Sequence, residues 1–140
     1  MDREEQNQQK KMWHKISRYE QTEHFIMEFK DKVNWEVISK CQTLSEDFIR
    51  EFEDKVVWCD ISWRQKLSEN FIREFQDKMD WFMISKFQSL SENFIKEFQD
   101  KVNWQCISQY QKLSFSFATE FEDLVDWQCI SVYQAFSIED

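Results

Sequence analysis

The sequence LSENFIREFQDKMDW at residues 67–81 decides the fold, because LSENFIKEFQDKVNW follows it at residues 90–104 with few changes. A tryptophan ends each stretch, and an Ile-Ser pair begins three residues later. Self-similarity at a fixed period of roughly 20–50 residues is typical of proteins built from stacked repeats. The tryptophans lie 23 residues apart, at Trp35, Trp58, Trp81, Trp104 and Trp127, and Trp13 precedes the first by 22 residues.

The part of each repeat that contains Leu-Ser predicts a short helix beginning at the serine. In the repeat at residues 44–52, Ser45 is a favoured N-cap residue, since its hydroxyl accepts a hydrogen bond from an unpaired backbone N–H group. Leu44 and Ile49 have the spacing of a hydrophobic staple, which fixes the entry of the chain into a helix. Phe48, Ile49 and Phe52 then form an apolar stripe at helical spacing.

The part of each repeat around the tryptophan predicts a second short helix. Asp54 is the expected N-cap, and Trp58, Ile61, Ser62 and Gln65 fall on one helical face. The serine in that stripe is small, so we expect it to let a neighbouring helix approach closely.

The fold class follows from the shortness of these helices. A helix of about nine residues does not persist alone in water, and it must pack against neighbours, as in other repeat proteins. The sequence therefore predicts an all-α fold, a right-handed α-solenoid of two-helix, 23-residue repeats. We expect a single domain of about five and a half repeats over residues 12–140, with the array stopping at residues 136–140 before a further helix. The polar segment 1–11 is expected either to be disordered or to extend the first helix.

The composition excludes several classes of protein. The chain contains no glycine and no proline, so glycine-rich phosphate loops and tight β-hairpin turns lack their usual residues. Its net charge of −9 disfavours binding to nucleic acid or to an anionic membrane. The tryptophan and phenylalanine ladder is predicted to be core, because those faces must be buried for the array to fold, and it is not interpreted as a base-stacking platform.

The expected location is intracellular. The first residues are polar, unlike a signal peptide, and no apolar stretch approaches the roughly 18 residues that a transmembrane helix needs. The four cysteines lack CxxC spacing and are interpreted as small hydrophobic residues in a reducing compartment. The sequence thus predicts a soluble protein of the cytoplasm or nucleus.

The repeat at residues 67–81 resembles the short tandem repeats of large DNA viruses, and similar arrays occur in phage and bacterial proteins. The resemblance covers residues 12–140. It implies a helical-repeat array, which in a viral protein would be located in the host cell. It brings no shared activity and no catalytic or binding residue.

Candidate chemical groups in the sequence do not predict an enzyme, a cofactor or a metal site. Carboxylate pairs such as Glu51 and Asp54 occur in every full repeat, which favours capping and solvation, since a catalytic pair is normally unique. Cys106 and Cys129 hold the same slot in adjacent repeats. Helices stacked at roughly 8–10 Å would place their Cα atoms beyond the ~7 Å limit for a disulfide. The two histidines have no evident partner.

The variable slots of the repeat predict a partner surface. The residues two, five and six positions after each tryptophan change most between repeats, and this favours a non-enzymatic scaffold for protein–protein interaction. Six of the seven tryptophans hold the same slot of the repeat, and Trp63 is the exception. It is interpreted either as an interface anchor or as a residue that packs between repeats. The candidate surface consists of Trp63, Arg64, Met83, Phe87, Gln109 and Tyr110.

Two other functions stay open at this point. An array that ends half-way through a repeat could stack end to end on another copy and form a homo-oligomer. Alternatively, the acidic chain could be a viral decoy that inhibits a host nucleic-acid-binding factor. The rows of lysine that interrupt the acidic rows, such as Lys55, Lys78 and Lys101, count against the decoy.

Overall fold

The structure is a computed structural model that describes residues 1–136, and over that range it consists of helices and turns only. The chain divides into two compact units, an N-terminal unit over Met1–Leu67 and a C-terminal unit from Ser68 onward. The helices are α1 (Arg3–Arg18), α2 (Glu23–Glu28), α3 (Trp35–Cys41), α4 (Glu46–Glu51), α5 (Trp58–Arg64), α6 (Glu69–Glu74), α7 (Trp81–Phe87), α8 (Glu92–Glu97), α9 (Trp104–Tyr110), α10 (Phe115–Glu120) and α11 (Trp127–Tyr133).

Neighbouring odd-numbered helices pack together within each unit. In the N-terminal unit α3 contacts both α1 and α5, and in the C-terminal unit α9 contacts both α7 and α11. Helix pairs recurring every 23 residues with contacts between successive helices are the arrangement of a helical-repeat solenoid, so the predicted all-α fold class is confirmed. Each helix within residues 1–136 is too short or too polar to span a lipid bilayer.

The even-numbered helices begin where the sequence predicts. Ser45 precedes α4 with extended backbone angles, and its hydroxyl accepts a hydrogen bond from the Phe48 N–H group at 3.1 Å. Ser91 caps α8 in the same way, through the Phe94 N–H group. The N-cap prediction is therefore confirmed for this half of the repeat.

The predicted start of an odd-numbered helix at Asp54 is wrong. Helix α5 begins at Trp58, its N-cap is Val57, and Asp54 lies in the exposed turn after α4. That turn is closed by the N–H groups of Lys55 and Val56, which both donate to the carbonyl of Phe52. Because these groups already have a partner, the carboxylate of Asp54 is not needed as a cap. In α3, α7, α9 and α11 the cap is the side chain directly before the tryptophan, at Asn34, Asp80, Asn103 and Asp126 respectively.

The core consists mainly of phenylalanine and isoleucine from both kinds of helix. Phe94 and Ile95 of α8 and Ile84 of α7 are almost completely buried. Trp81 is half-buried and packs against Phe94 and Phe98, with ring centroids 6.2 and 5.1 Å apart. Its indole N–H donates to the carbonyl five residues earlier. The phenylalanines thus fill the interior as predicted. The tryptophans of the ladder, which were also predicted to be core, instead lie at its rim.

Most of the polar N-terminal segment is helical. Helix α1 begins at Arg3, and Asp2 and Glu5 form a reciprocal capping box at its start. The polar N-terminal segment is therefore part of the first helix from Arg3 onward. The predicted stop of the array falls mainly on residues 137–140, which lie outside the described residues.

Candidate functional site

Within each unit, buried glutamines join odd-numbered helices to the previous repeat. In the C-terminal unit the Gln111 amide nitrogen donates to the carbonyls of Ser85 and Gln88, at 2.8 and 2.7 Å. The Gln111 amide oxygen accepts a hydrogen bond from the Leu90 N–H group at 3.1 Å. The carbonyls belong to the end of α7, where helical backbone groups lack intrahelical partners. One side chain therefore satisfies three backbone groups of the neighbouring repeat.

Serine and glutamate add two further links between adjacent repeats. The fully buried Ser85 donates to the carbonyl of Trp81 and accepts from the N–H group of Asn103. The carboxylate of Glu69 accepts hydrogen bonds from the backbone N–H and the hydroxyl of Ser91, at 2.6 and 3.0 Å. Glu23 and Glu92 bind Ser45 and Ser114 in the same way, so this row of glutamates joins adjacent repeats. These links hold the exposed slots of successive odd helices at a fixed separation.

The six predicted surface residues are divided between the two units. Trp63 and Arg64 lie in the N-terminal unit, where the Arg64 guanidinium carbon is 3.8 Å from the centroid of the Trp63 ring. Trp63 is half-buried and Arg64 is exposed. The remaining four lie in the C-terminal unit: Phe87 and Tyr110 are exposed, and Met83 and Gln109 are partly buried.

The slot two positions after the tryptophan points mainly inward. Val37, Asp60 and Cys106 in this slot are buried, and Met83 is partly buried. The exposed neighbour is the slot one position after the tryptophan, which Phe82 occupies in α7. Positions one, five and six of a helix that begins at the tryptophan share one face. That periodicity was the signal that would have placed Phe82 and Lys86 on the surface.

Three exposed aromatic rings surround one lysine on this face. The Lys86 ammonium lies 5.2 Å from the ring centroids of Phe87 and Tyr110 and 6.0 Å from that of Phe82. The exposed fractions of Phe82, Phe87 and Tyr110 are 48%, 45% and 47%. These distances are within the range of cation–π attraction. We call Phe82, Lys86, Phe87 and Tyr110 the aromatic–lysine cluster.

A groove lies beside this cluster, at the C-terminal ends of α7 and α9. Its volume is about 490 Å³, and it contains two lysines but no acidic residue among the lining residues of the described chain. We call it the Lys86–Lys112 groove. It is lined by Lys86, Phe87, Gln88, Ser89, Leu90, Ser91, Tyr110, Gln111 and Lys112.

Two cysteine thiols of the C-terminal unit have raised pKa values. Burial raises the pKa of the Cys106 thiol, against a smaller opposing effect of the Lys86 ammonium. Desolvation also raises the pKa of Cys129, and Asp126 adds to that rise. Both thiols are free, and a raised pKa keeps a thiol protonated and weakly nucleophilic. Within residues 1–136, no group of three or more His, Cys, Asp or Glu side chains is placed to hold a metal ion.

Comparisons with family models, with curated proteins and with solved structures each give no match for this chain. The resemblance to viral tandem repeats therefore stays a prediction. The exposed residues of the aromatic–lysine cluster are the basis for a functional proposal.

Proposed function

We propose that the chain is a non-enzymatic helical-repeat scaffold that binds a protein partner through the aromatic–lysine cluster of its C-terminal unit. The observation that carries the proposal is the convergence of three half-exposed rings, from α7 and α9, around the Lys86 ammonium. Aromatic residues are enriched at protein interfaces, where they contribute much of the binding energy. A cluster of exposed apolar side chains on a folded surface is characteristic of such sites.

The N-terminal unit provides a comparison for this face. In α3 the positions equivalent to Phe82, Lys86 and Phe87 are Glu36, Lys40 and Cys41. Folding of the repeat therefore does not require aromatic residues in these slots. Their presence in α7 is better explained by binding than by packing.

The hydrogen bonds between repeats support the same proposal. Gln111 and Ser85 join α7 to α9 through buried bonds, so the rings of Phe87 and Tyr110 are carried on helices held in a fixed relation. A surface that is already ordered loses less conformational entropy on binding. This favours a specific partner interface over a loosely adhesive surface.

A quantitative capture experiment tests the proposal. We expect the Phe87→Ala/Tyr110→Ala double variant to bind the partner captured from a nuclease-treated lysate about tenfold more weakly than the wild type, or worse. The matched control is Tyr19→Ala, which removes an exposed ring from the equivalent slot of the first repeat and should leave binding unchanged. Equal binding by the wild type and the double variant would overturn the proposal. Recovery of only further copies of the chain would instead favour self-assembly.

A further inference from the structure

The Lys86–Lys112 groove carries a local charge opposite to that of the whole chain. The chain has a net charge of −9, yet two ammonium groups and no carboxylate line this groove. Other lysines of the C-terminal unit are neutralised by neighbouring repeats, such as Lys96 with Glu120 at 2.7 Å and Lys101 with Asp77 at 3.5 Å. Within the described residues, neither Lys86 nor Lys112 has a carboxylate oxygen within 4.0 Å of its ammonium.

The absence of an ion pair at Lys86 follows from the residue four positions earlier. In α3 the equivalent lysine, Lys40, pairs with Glu36 at 4.0 Å. In α7 that position holds Phe82, so the Lys86 ammonium lies among aromatic rings instead. A cation–π contact attracts the ammonium without cancelling its charge, which leaves it able to pair with an incoming carboxylate.

Carboxylates do lie next to the groove, and they are already engaged. Glu92 accepts hydrogen bonds from the backbone N–H and the hydroxyl of Ser114. Glu69 accepts two hydrogen bonds from Ser91, which is a lining residue. The oxygen atoms of both carboxylates therefore belong to the links between repeats and are not paired with Lys86 or Lys112.

We propose that the partner presents an acidic peptide segment with an aromatic or aliphatic side chain beside its carboxylates, and that this segment binds in the Lys86–Lys112 groove. The inference rests on the proposed function and specifies the chemistry of the partner. Carboxylates of the segment pair with Lys86 and Lys112, and the apolar side chain packs against Phe87 and Tyr110. Complementary charges fix the orientation of such a segment and raise its association rate.

A nucleic acid fits this groove less well than an acidic peptide. Binding to a polynucleotide is stabilised when several phosphates are neutralised along the strand, and this groove provides only two cations. A strand extending past the groove would approach the carboxylates of Glu69 and Glu92, which bind Ser91 and Ser114 beside it. A short acidic segment avoids that repulsion.

A random peptide library displayed on phage, selected against the full chain, tests the inference. We expect the enriched peptides to carry more Asp and Glu than the starting library, next to aromatic or aliphatic residues. The best peptide should bind Lys86→Glu/Lys112→Glu on the order of tenfold more weakly than it binds the wild type. Circular dichroism and thermal unfolding check that this variant is folded, which is expected because neither lysine contributes to the buried core.

A second pair of variants separates the charge of the groove from its aromatic surface. Phe82→Glu places a carboxylate four residues before Lys86 and recreates the internal pair seen between Glu36 and Lys40. Phe82→Gln removes the same ring without adding charge. We expect Phe82→Glu to weaken binding of the acidic peptide more than Phe82→Gln does. Added salt should reduce the difference in affinity between the two variants.

The outcomes distinguish this inference from the proposed function. Enrichment of neutral or basic peptides, no enrichment, or equal peptide binding by the Lys86→Glu/Lys112→Glu variant would overturn the acidic-segment inference. The inference would also be overturned if an oligothymidylate bound the wild type more tightly than the best peptide does and lost that binding in the Lys86→Glu/Lys112→Glu variant. In each case, loss of the captured partner from the Phe87→Ala/Tyr110→Ala variant would still support the proposed function.

Discussion

At the scale of the residue, a few polar side chains determine how adjacent repeats fit together. Gln111, Ser85 and Glu69 each bond to backbone or side-chain groups in the next or previous repeat. The sequence alone indicated helical faces and solvated charges at these positions. It could not reveal the bonds, because they join atoms 18–26 residues apart whose meeting depends on the separation of stacked helices.

Substitution of Gln111 by leucine tests the importance of these bonds for stability. Gln111→Leu keeps the approximate size of the side chain but leaves the Leu90 N–H and the Ser85 and Gln88 carbonyls without their partner. Each buried group left unpaired costs roughly 1–3 kcal/mol. We expect the free energy of unfolding to fall by about 3 kcal/mol, measured by urea denaturation. Gln105→Leu, at an exposed position of the same helix, should change it by less than about 0.5 kcal/mol.

The buried thiol of Cys106 predicts a dependence of stability on alkaline pH. Its pKa is raised in the folded state above the ordinary value of 9.0, mainly by burial. The folded state therefore holds the proton more tightly than the unfolded state does. The resulting stability is fully present below about pH 9 and is lost as the pH rises through the folded pKa.

Cys106→Val provides the matched variant for this prediction, because Val37 occupies the same slot of the repeat in α3. We expect the variant and the wild type to have similar free energies of unfolding at neutral pH. Above about pH 9 the wild type should lose stability relative to the variant. Parallel pH profiles for the two proteins would show that the thiol does not titrate in this way.

At the scale of the element, local rules predicted one helix of each repeat well and the other less well. Ser45 and its equivalents were recognisable because a serine before an apolar stripe satisfies the cap by itself. Asp54 misled because an aspartate lies four residues before each of Trp35, Trp58, Trp81, Trp104 and Trp127. The true cap lies directly before the tryptophan, where the residue type varies and is Val57 in α5. The backbone turn between the helices, closed on the carbonyl of Phe52, decided the boundary and has no clear signature in the sequence.

The serine caps give a prediction about individual helices. Ser91→Ala removes the acceptor for the Phe94 N–H group and the hydroxyl donor to Glu69. We expect a loss of about 1–2 kcal/mol in the free energy of unfolding, since a cap contributes roughly 0.5–2 kcal/mol. Ser89→Ala is the control, because Ser89 is an exposed residue of the preceding turn. Equal effects of the two substitutions would contradict the capping role of Ser91.

At the scale of the whole molecule, the repeat made the fold class predictable but revealed only part of the candidate site. Phe87 and Tyr110 were predicted because they occupy one of the slots that change most between repeats. Lys86 and Lys112 were missed, since the importance of a lysine here depends on the absence of an ion-pair partner among the described residues. That absence is a property of the folded surface, visible only when Lys86 is compared with the paired Lys40.

The division into two compact units predicts that damage to the core stays partly local. Phe94→Ala removes an almost completely buried ring from the C-terminal unit, and such changes cost roughly 3–5 kcal/mol. In a repeat protein each repeat is stabilised mainly by its neighbours. Hydrogen exchange should therefore show the largest loss of amide protection between Ser68 and residue 136. An equal loss throughout Met1–Leu67 would contradict this prediction.

The central claim, that the aromatic–lysine cluster is a protein-binding surface, is tested most directly by site-specific photo-crosslinking. A benzophenone amino acid replaces Phe87 in one sample and Tyr19 in another, and each is irradiated in lysate and analysed by mass spectrometry. We expect one discrete crosslinked partner from position 87 and no such product from position 19. Excess unlabelled wild type should suppress the product from position 87. No competable product from position 87, or the same product from both positions, would contradict the central claim.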